Sequence, residues 1–508
     1  MLFYYTDLYI FKSFFLNTIK KLAGQTAVYG LSSIIGRFLN YLLVPLYTYN
    51  LPTEQYGVVT ELYAYVSFLI IILTYGMEVG FFRFSDSETN INKVYTTTLT
   101  SLFSTSSLFI LFFLFFYKNV ASAIGYSSHP EYILWFAFII AIDAFVSIPF
   151  AKLRRENKAT KFAIIKLINI FVNVGLNLFF IKLCPYLIQQ NPDSWVATLG
   201  FGTISIKYIF ISNLIASIIT FILLLPDILN VKFEFDKKLL KKILIYSLPL
   251  LVAGLAGMVN ETLDRILLKV LLPASSDIMR QIGIYGANYK IAILMTLFIQ
   301  MFRYAAEPFF FSEAKEKNAK ATYAKVMKYF IIFGLFIFLF VMLYIDIIKY
   351  FIGANYREGL KIVPIVLLAN LFLGIIYNLS VWYKLTNKTK FGAYIALIGA
   401  GITITLNIIL IPKIGYMGSA WATFFCYFSM MIISFIWSRK FYKIRYDIKN
   451  ILFYFILALA IFLIVSYLKT ENTIIKYSVN TILLFSFILL AVLKEKLYLF
   501  LKKNKNES

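Results

Sequence analysis

Residues 157–177 read NKATKFAIIKLINIFVNVGLN, a polar Asn-Lys turn followed by an apolar segment that ends in Leu-Asn. Residues 387–407 read NKTKFGAYIALIGAGITITLN and repeat this order 230 positions later. Each stretch is long enough and apolar enough to cross a lipid bilayer as a helix. The pair therefore predicts a membrane protein that contains an internal repeat.

Two further matches support the repeat. Arg37 closes the motif SIIGR and Arg265 closes ETLDR, 228 positions apart, while EQYG at 54–57 matches RQIG at 280–283 with a spacing of 226. A unit of this length holds six membrane helices. Since six is even, both copies enter the membrane in the same direction, which predicts a parallel repeat about an axis along the membrane normal.

The composition agrees with a membrane protein throughout. The 508 residues are 60% hydrophobic and only 15% charged, and the mean hydropathy is +0.78, well outside the range of soluble domains. We predict an all-α polytopic membrane protein with about 14 transmembrane helices. The predicted spans are 25–49, 56–81, 94–117, 131–150, 161–182, 206–228, 243–271, 283–310, 325–350, 360–383, 391–412, 416–437, 450–468 and 474–493.

Positive charge is concentrated in alternate loops. The net charge is +24, and most of the cationic side chains lie in the loops 152–161, 232–242, 315–328, 439–449 and 494–505. These loops hold roughly three cations for each one in the loops on the opposite side of the membrane. This pattern places both termini in the cytoplasm and predicts contact with anionic membrane lipids. It does not indicate nucleic-acid binding, because the cations lie in short connections between apolar spans.

The predicted domain organisation follows from the repeat. Residues 1–23 form an N-terminal cytoplasmic or interfacial segment, 24–236 and 237–440 form two six-helix lobes, and 441–508 hold helices 13 and 14 with a basic cytoplasmic tail. Two interpretations of residues 1–18 stay open: an interfacial helix, or a segment translated upstream of the functional start.

Charged residues inside the spans are the candidate functional groups. A cation at the centre of a membrane helix costs about 2.5–3.5 kcal/mol on insertion scales and is expected to face a cavity or a partner. Glu261–Arg265 and Arg303–Glu307 have the i,i+4 spacing of an ion pair, whereas Arg37 and Lys290 have no acid four residues away. Five cations lie well inside the spans, away from their ends: Arg37, Lys166, Arg265, Lys290 and Arg303.

Lys166, Asn169, Asn173 and Asn177 fall on one face of the fifth helix. Such asparagines either bond helices together or line a cavity, two roles that are about equally common, and Lys166 on the same face tilts the prediction toward a water-filled cavity. We predict that the five cations, Asn173 and Asn177 bind an anionic substrate, with phosphate as the first candidate because it needs positive charge and several donors. Glu61, Asp143 and Asp264 are candidates for coupling to an ion gradient.

Several enzyme classes lack their signatures here. The chain has no GxxxxGK[ST], HExxH or GxSxG motif, and His129 is its single histidine. Cys184 and Cys426 have no metal-site spacing. We therefore expect no metal, no cofactor and no enzymatic activity.

The sequences of several segments resemble those of the bacterial polysaccharide flippases of the O-antigen and capsule type. These flippases belong to the multidrug/oligosaccharidyl-lipid/polysaccharide exporter superfamily. These segments are LNYLLVPLYTYNLPTEQYGVVTEL (39–62), YSLPLLVAGLAGMVNETLDRILLKVLL (246–272), IGIYGANYKIAIL (282–294), AAEPFFF (305–311) and LIPKIGYMGSAWAT (410–423). The likeness preserves order and spacing over nearly the whole chain beyond Lys20.

This resemblance implies a flippase of the bacterial inner membrane that moves undecaprenyl-pyrophosphate-linked oligosaccharide by alternating access. Arg37 matches a cavity arginine of the related lipid II flippases, and Lys290 lies where they carry Arg after Asp. Here Tyr289 replaces that Asp, and Leu43 replaces a second arginine. We expect a monomeric transport unit, coupled to Na⁺ or H⁺, with glycan polymerase machinery as an optional partner.

Three alternatives stay open. A multidrug exporter of the same superfamily would favour intramembrane acids over unpaired cations, and a lipid II flippase would share the fold. A glycan polymerase or ligase is less compatible, because such enzymes carry a large exterior loop and no linker here is long enough.

Overall fold

The computed structural model describes residues 35–87, 90–467 and 472–495, and the described chain is helical without a β-strand. The predicted span 25–49 therefore lies partly outside the described residues. Twelve helices are long and apolar enough to cross a membrane among the described residues, and a thirteenth span arises if Ile278–Ile291 and Ile293–Glu313, bent by 52° at their junction, count as one. The protein is a multi-pass membrane protein, and the described spans match thirteen of the predicted fourteen.

Residues 35–41 are helical, and the α-helices that follow are numbered in chain order. They are α1 Leu43–Asn50, α2 Thr53–Thr74, α3 Met77–Ser87, α4 Ile91–Ala123, α5 Glu131–Arg155, α6 Ala159–Leu178, α7 Cys184–Gln190, α8 Trp195–Thr198, α9 Lys207–Leu229, α10 Lys237–Leu271, α11 Ile278–Ile291, α12 Ile293–Glu313, α13 Ala319–Leu343, α14 Ile345–Ile348, α15 Val363–Leu379, α16 Val381–Leu385, α17 Lys390–Ile414, α18 Tyr416–Phe441, α19 Ile448–Tyr467 and α20 Thr473–Lys494. A π-helical turn, Phe179–Leu183, joins α6 to α7, and two 3-10 segments, Lys349–Phe351 and Ala354–Ile362, precede α15.

Polar side chains mark where several helices begin. The side chain of Asn90 accepts a hydrogen bond from the backbone N–H of Lys93 at the start of α4, and Asn472 caps α20 in the same way. Asp236 accepts from the backbone N–H groups of Lys238 and Leu239 at the start of α10. Each cap satisfies N–H groups that the first helical turn leaves unbonded.

The chain divides into two compact units. Unit 1 comprises residues 1–51 and 62–258, and unit 2 comprises 52–61 and 259–508. Helices α2 and α10 are thus each shared between the units. The lobe boundaries at 236 and 440 stay a prediction.

In unit 1, α5 packs against α4 and α9, and α9 also packs against α6. Its core includes Tyr95, Phe145 and Ile148. In unit 2, α18 packs against α17 and α15, while α13 packs against α15, α19 and α20. The last two helices are therefore attached to unit 2 through α13.

The Asn-Lys turns of the sequence repeat have the same backbone conformation. Asn157 and Asn387 have φ values of 58° and 53°, in the left-handed region that asparagine tolerates better than most residues. The asparagines that end the repeated stretches, Asn177 and Asn407, are both fully buried. Each donates its side-chain amide to the carbonyl four residues earlier, at 2.8 Å and 2.7 Å.

Candidate functional site

Helix α6 carries a row of asparagines that bond to neighbouring helices of unit 1. The Tyr47 hydroxyl donates to Asn177 Oδ1 at 2.9 Å, and Asn169 Nδ2 donates to Thr220 Oγ1 at 2.9 Å. Asn173 Nδ2 lies 3.4 Å from Oδ1 of Asn40. Asn169 and Asn177 therefore hold helices together, one of the two roles that the sequence left open.

Lys166 and Asp143 add charge to the interior of unit 1. Lys166 Nζ lies 4.2 Å from the ring centroid of Phe150. The Asp143 carboxylate attracts the Lys166 ammonium electrostatically. Asp143 is exposed and accepts a hydrogen bond from Ser217 Oγ at 2.9 Å. An exposed carboxylate midway along a membrane helix is tolerated where it meets water. We therefore expect water to reach this part of unit 1.

Arg37 is the most accessible of the unit 1 cations predicted to bind substrate. Its side chain is exposed, as is that of Asn40 one turn later. Within the described chain, no acidic side chain lies within 4.0 Å of Arg37. Among the described residues, no carboxylate therefore competes with an anion for the donors of this guanidinium.

Unit 2 contains a compact charge network around Asp264. Asp264 accepts hydrogen bonds from Nη1 of Arg265 at 2.8 Å and from the hydroxyl of Tyr285 at 2.5 Å. The Arg265 guanidinium lies 4.5 Å from the ring centroid of Tyr289 and donates to the carbonyl of Glu261. The ion pair of Arg265 is thus with Asp264, and not with the Glu261 carboxylate that helical spacing suggested. An anion that binds Arg265 has to compete with Asp264.

A second ion pair in unit 2 joins distant parts of the sequence. Lys269 Nζ lies 2.9 Å from Oε1 of Glu61, whose side chain is completely buried. Lys290 lies in the last turn of α11 and is half-buried. Sequence reasoning did not single out Lys269, although its position one turn beyond Arg265 on α10 was a usable signal.

The remaining predicted cation, Arg303, lies in a pocket between α12, α15 and α16. Its guanidinium carbon is 5.0 Å from the ring centroid of Tyr377. Glu307, expected to pair with Arg303, instead accepts from Lys384 Nζ at 2.6 Å. The other residues that line the pocket are Phe302, Ala306, Phe310, Phe311, Ser380, Val381 and Leu385. Tyr377 and Lys384 were not predicted, because their helices, α15 and α16, show no charge pattern that points to α12.

The structure thus separates the predicted site residues into two sets. Arg37, Asp143, Lys166, Asn173 and Asn177 belong to unit 1, and Glu61, Asp264, Arg265, Lys290 and Arg303 belong to unit 2. In the described portion of the chain, no group of three His, Cys, Asp or Glu side chains is placed to hold a metal ion.

An array of apolar helices that carry charged side chains within the membrane spans is typical of a multi-pass membrane transporter. Residues 22–314, more than half of the chain, match the family model described as polysaccharide biosynthesis protein. The chain therefore belongs to this polysaccharide biosynthesis protein family.

Known proteins share this architecture. An uncharacterized membrane protein of Methanocaldococcus jannaschii is 22% identical over 80% of this chain and 82% of its own length. The structure is similar to that of the lipid II flippase MurJ in an inward closed conformation, with a TM-score of 0.67 and 16% identity over 92% of this chain and 99% of that one. It is also similar to an inward-facing multidrug resistance MATE family transporter of the MOP superfamily, with a TM-score of 0.64 and 14% identity over 82% of this chain and 94% of that one.

Proposed function

We propose that the protein flips undecaprenyl-pyrophosphate-linked oligosaccharide repeat units across the bacterial inner membrane, by alternating access, for surface polysaccharide synthesis. The observation that carries this proposal is Arg37, an exposed guanidinium with no acidic partner among the described residues. Pyrophosphate offers several charged acceptor oxygens, which match the donors of arginine. Family membership supports a substrate that belongs to polysaccharide synthesis.

Lys166 and Lys290 extend this cationic set, and Asn173 supplies a neutral donor. Lys166 meets an aromatic face, and no acid lies within 4.0 Å of its Nζ in the described part of the chain, so it adds positive charge to unit 1. Arg265 serves the substrate only when the anion displaces Asp264. The polyprenyl tail stays in the lipid, where its transfer into a polar site would cost free energy.

Coupling to Na⁺ or H⁺ is part of the proposal. Asp143 is the strongest candidate, because its carboxylate is exposed and accepts a hydrogen bond from a neutral donor, the Ser217 hydroxyl. Glu61 and Asp264 are both buried in ion pairs. Either of them would have to lose its partner before it could bind a coupling ion.

The test is a flipping assay with the purified full chain in liposomes that contain an undecaprenyl-pyrophosphate-linked trisaccharide. A glycosidase added outside measures how fast the glycan reaches the outer leaflet. We expect Arg37→Ala to lower the flipping rate at least about tenfold, as loss of a charged hydrogen bond predicts. Arg37→Lys should give an intermediate rate, because an ammonium lacks the paired donors of a guanidinium.

Lys118→Ala is the matched control, since Lys118 is exposed near the end of α4 and outside the proposed site. Its rate should stay within about twofold of wild type, below the change expected for a charged hydrogen bond. A wild-type rate in Arg37→Ala would remove Arg37 from the site. Failure of the wild-type protein to flip the trisaccharide would refute the proposed function.

Asp143 also favours a second candidate, a multidrug exporter of the same superfamily, because an exposed intramembrane acid suits a cationic drug. Efflux of a cationic dye that requires Asp143, without flipping of the trisaccharide, would support it. A lipid II flippase is distinguished by substrate: it would flip lipid II and not the trisaccharide.

A further inference from the structure

The linker between α9 and α10 in unit 1 turns its acidic side chains toward the protein. Residues 230–236 read NVKFEFD and lie outside any helix. Glu234 Oε2 accepts a hydrogen bond from Asn90 Nδ2 at 2.7 Å, and Asp236 Oδ2 lies 2.6 Å from Lys93 Nζ. Both carboxylates of the linker are therefore bound at the start of α4.

The aromatic side chains of the same linker are exposed. Phe233 is 71% exposed and Phe235 is 37% exposed, and Leu229 at the end of α9 is 72% exposed. The acids Glu234 and Asp236 alternate with the two rings, and this alternation has the period of two that an extended chain gives. The linker therefore presents two phenylalanine rings on its outer surface.

Four lysines follow these rings in the first turns of α10. All four are exposed, and none has an acidic side chain within 4.0 Å among the described residues. Because Glu234 and Asp236 are engaged at the start of α4, the nearest acids in the sequence do not neutralise this charge. The four are Lys237, Lys238, Lys241 and Lys242.

The position of the linker keeps this surface at the membrane. It joins α9 and α10, which are both long and apolar enough to cross a bilayer. Helix α10 has 35 residues, more than the roughly 20 that cross the hydrocarbon, so its lysine-bearing start can extend among the headgroups. One turn after Lys241, the exposed side of α10 carries Ile245, which is 66% exposed. This change from cations to an apolar side chain matches the change from headgroups to acyl chains.

We propose that residues 230–242 bind anionic phospholipid in the leaflet on their own side of the membrane, predicted to be cytoplasmic. Phe233 and Phe235 insert below the headgroups, and the four lysines bind the lipid phosphates. Surfaces that combine phenylalanine with lysine bind membranes in this way. A soluble acidic partner fits this surface less well, because two exposed rings would stay in water. The charge pattern of the sequence predicts lipid contact for the basic loops as a class, whereas the bound acids and exposed rings assign a lipid site to this one.

The test uses the full chain with Phe233→Trp in phosphatidylcholine liposomes that contain a minor fraction of brominated lipid. Bromine quenches tryptophan fluorescence on contact, and the same measurement on wild type subtracts the signal of the five native tryptophans. We expect brominated phosphatidylglycerol to bind beside the introduced tryptophan at least about fivefold more tightly than brominated phosphatidylcholine, the effect of one lysine near an anionic surface. This preference should fall as salt is added, because exposed charges are screened.

Replacing the four lysines of α10 with glutamine, in the Phe233→Trp protein, should abolish the preference. Quenching by brominated phosphatidylcholine should remain, which verifies that the variant is folded and that the ring is still inserted. The matched control replaces four exposed lysines of another loop predicted to be cytoplasmic, and it should keep the preference although its net charge changes equally. These control residues are Lys315, Lys317, Lys320 and Lys325.

Two kinds of result would overturn the inference. Equal binding of the two lipids would remove the anionic specificity, and so would a preference that survives the loss of the four lysines. Emission that neither lipid quenches would exclude insertion of Phe233. A blue-shifted spectrum would then place a second copy of the chain or another protein over the ring, and a red-shifted spectrum would place the ring in water.

Discussion

Lys269 and Glu61 form an ion pair in the interior of unit 2, although they are 208 positions apart in the sequence. Lys269 Nζ lies 2.9 Å from Oε1 and 3.0 Å from Oε2 of Glu61. The Lys269 side chain is 19% exposed and that of Glu61 is 0% exposed. Glu61 is the last residue of the segment 52–61, which belongs to unit 2 while the next residue of α2 belongs to unit 1. The pair therefore fixes the end of this segment within unit 2.

Removing Lys269 should destabilise the protein strongly. Lys269→Met leaves the Glu61 carboxylate buried without its cation, which costs about 3–5 kcal/mol. The double variant Glu61→Gln, Lys269→Met should recover most of this loss, because no uncompensated charge remains. The measurement is the free energy of unfolding from titration with sodium dodecyl sulfate, followed by helical circular dichroism.

Arg280 and Glu358 provide the control for this prediction. They form an ion pair at 2.5 Å with side chains 41% and 44% exposed, so Arg280→Ala should cost less than about 1 kcal/mol. If Lys269→Met and Arg280→Ala cost the same, the buried pair would have no special role in stability.

Gly57 and Gly283 mark a close approach of α2 and α11 that excludes any side chain. A Cβ at Gly57 would lie 2.0 Å from the carbonyl oxygen of Met279, and one at Gly283 would lie 2.0 Å from that of Thr53. These are backbone atoms that cannot rotate away, so Gly57→Ala and Gly283→Ala should each cost about 1–3 kcal/mol through overpacking. Gly401→Ala, with no atom within 4 Å of its Cβ, should be neutral or stabilising, since alanine favours helix. The same unfolding titration measures all three, and equal effects would contradict the close approach.

The left-handed turns at Asn157 and Asn387 should respond in parallel to substitution. A β-branched residue at a φ of 58° or 53° is strained by about 1–2 kcal/mol, so Asn157→Val and Asn387→Val should each lower stability by that amount. Glycine adopts this conformation without a steric penalty, and Asn157→Gly and Asn387→Gly should stay near wild type. Thermal melts in detergent would test this. A valine variant as stable as its glycine counterpart would refute the strain argument at that turn.

Asp236 should make the start of α10 sensitive to acid. Asp236 pairs with Lys93 at 2.6 Å and accepts hydrogen bonds from two backbone N–H groups. These interactions lower the pKa of its carboxyl from 3.8 to about 2. A lowered pKa means that the stabilisation is present above the unfolded value of 3.8 and is lost as the pH falls toward 2. The midpoint of thermal unfolding of Asp236→Asn should therefore lie below wild type at pH 6, and the gap should close on acidification.

Asp193→Asn, a change at an exposed loop residue, controls for the altered net charge in this comparison. Its gap from wild type should not follow the same trend. A difference between wild type and Asp236→Asn that is constant from pH 6 to pH 2.5 would argue against the ionised cap.

The apolar spans could be predicted because hydrophobic length is a local property of the sequence. The repeat could be predicted because its short motifs recur at a nearly constant spacing. Hydrophobic length alone locates a membrane helix, and the Asn157 and Asn387 turns have the same backbone because the same short motif precedes each helix. The bend between Ile291 and Ile293 was not predicted, since no proline or glycine marks the junction.

The ion pairs could not be predicted, because helical spacing relates only residues on one helix. Glu307 is one turn from Arg303 but bonds to Lys384, which is 77 positions away. Glu61 likewise pairs across 208 positions. Such partners depend on which helix faces pack against each other, and helical spacing in a single sequence does not give that information.

The matched asparagines have a consequence for ancestry. Duplication of a six-helix gene segment would leave this pattern, in which the order of residues and the φ value of one turn residue occur twice. An ancestral half with six helices would insert in one orientation only, so two copies could assemble as a twofold homodimer. In that dimer every charge would occur twice, whereas fusion into one chain allows each half to change alone. The Asp143–Lys166 group of unit 1 and the Asp264–Arg265 pair of unit 2 are such one-sided features, which a symmetric dimer would have to carry in both halves.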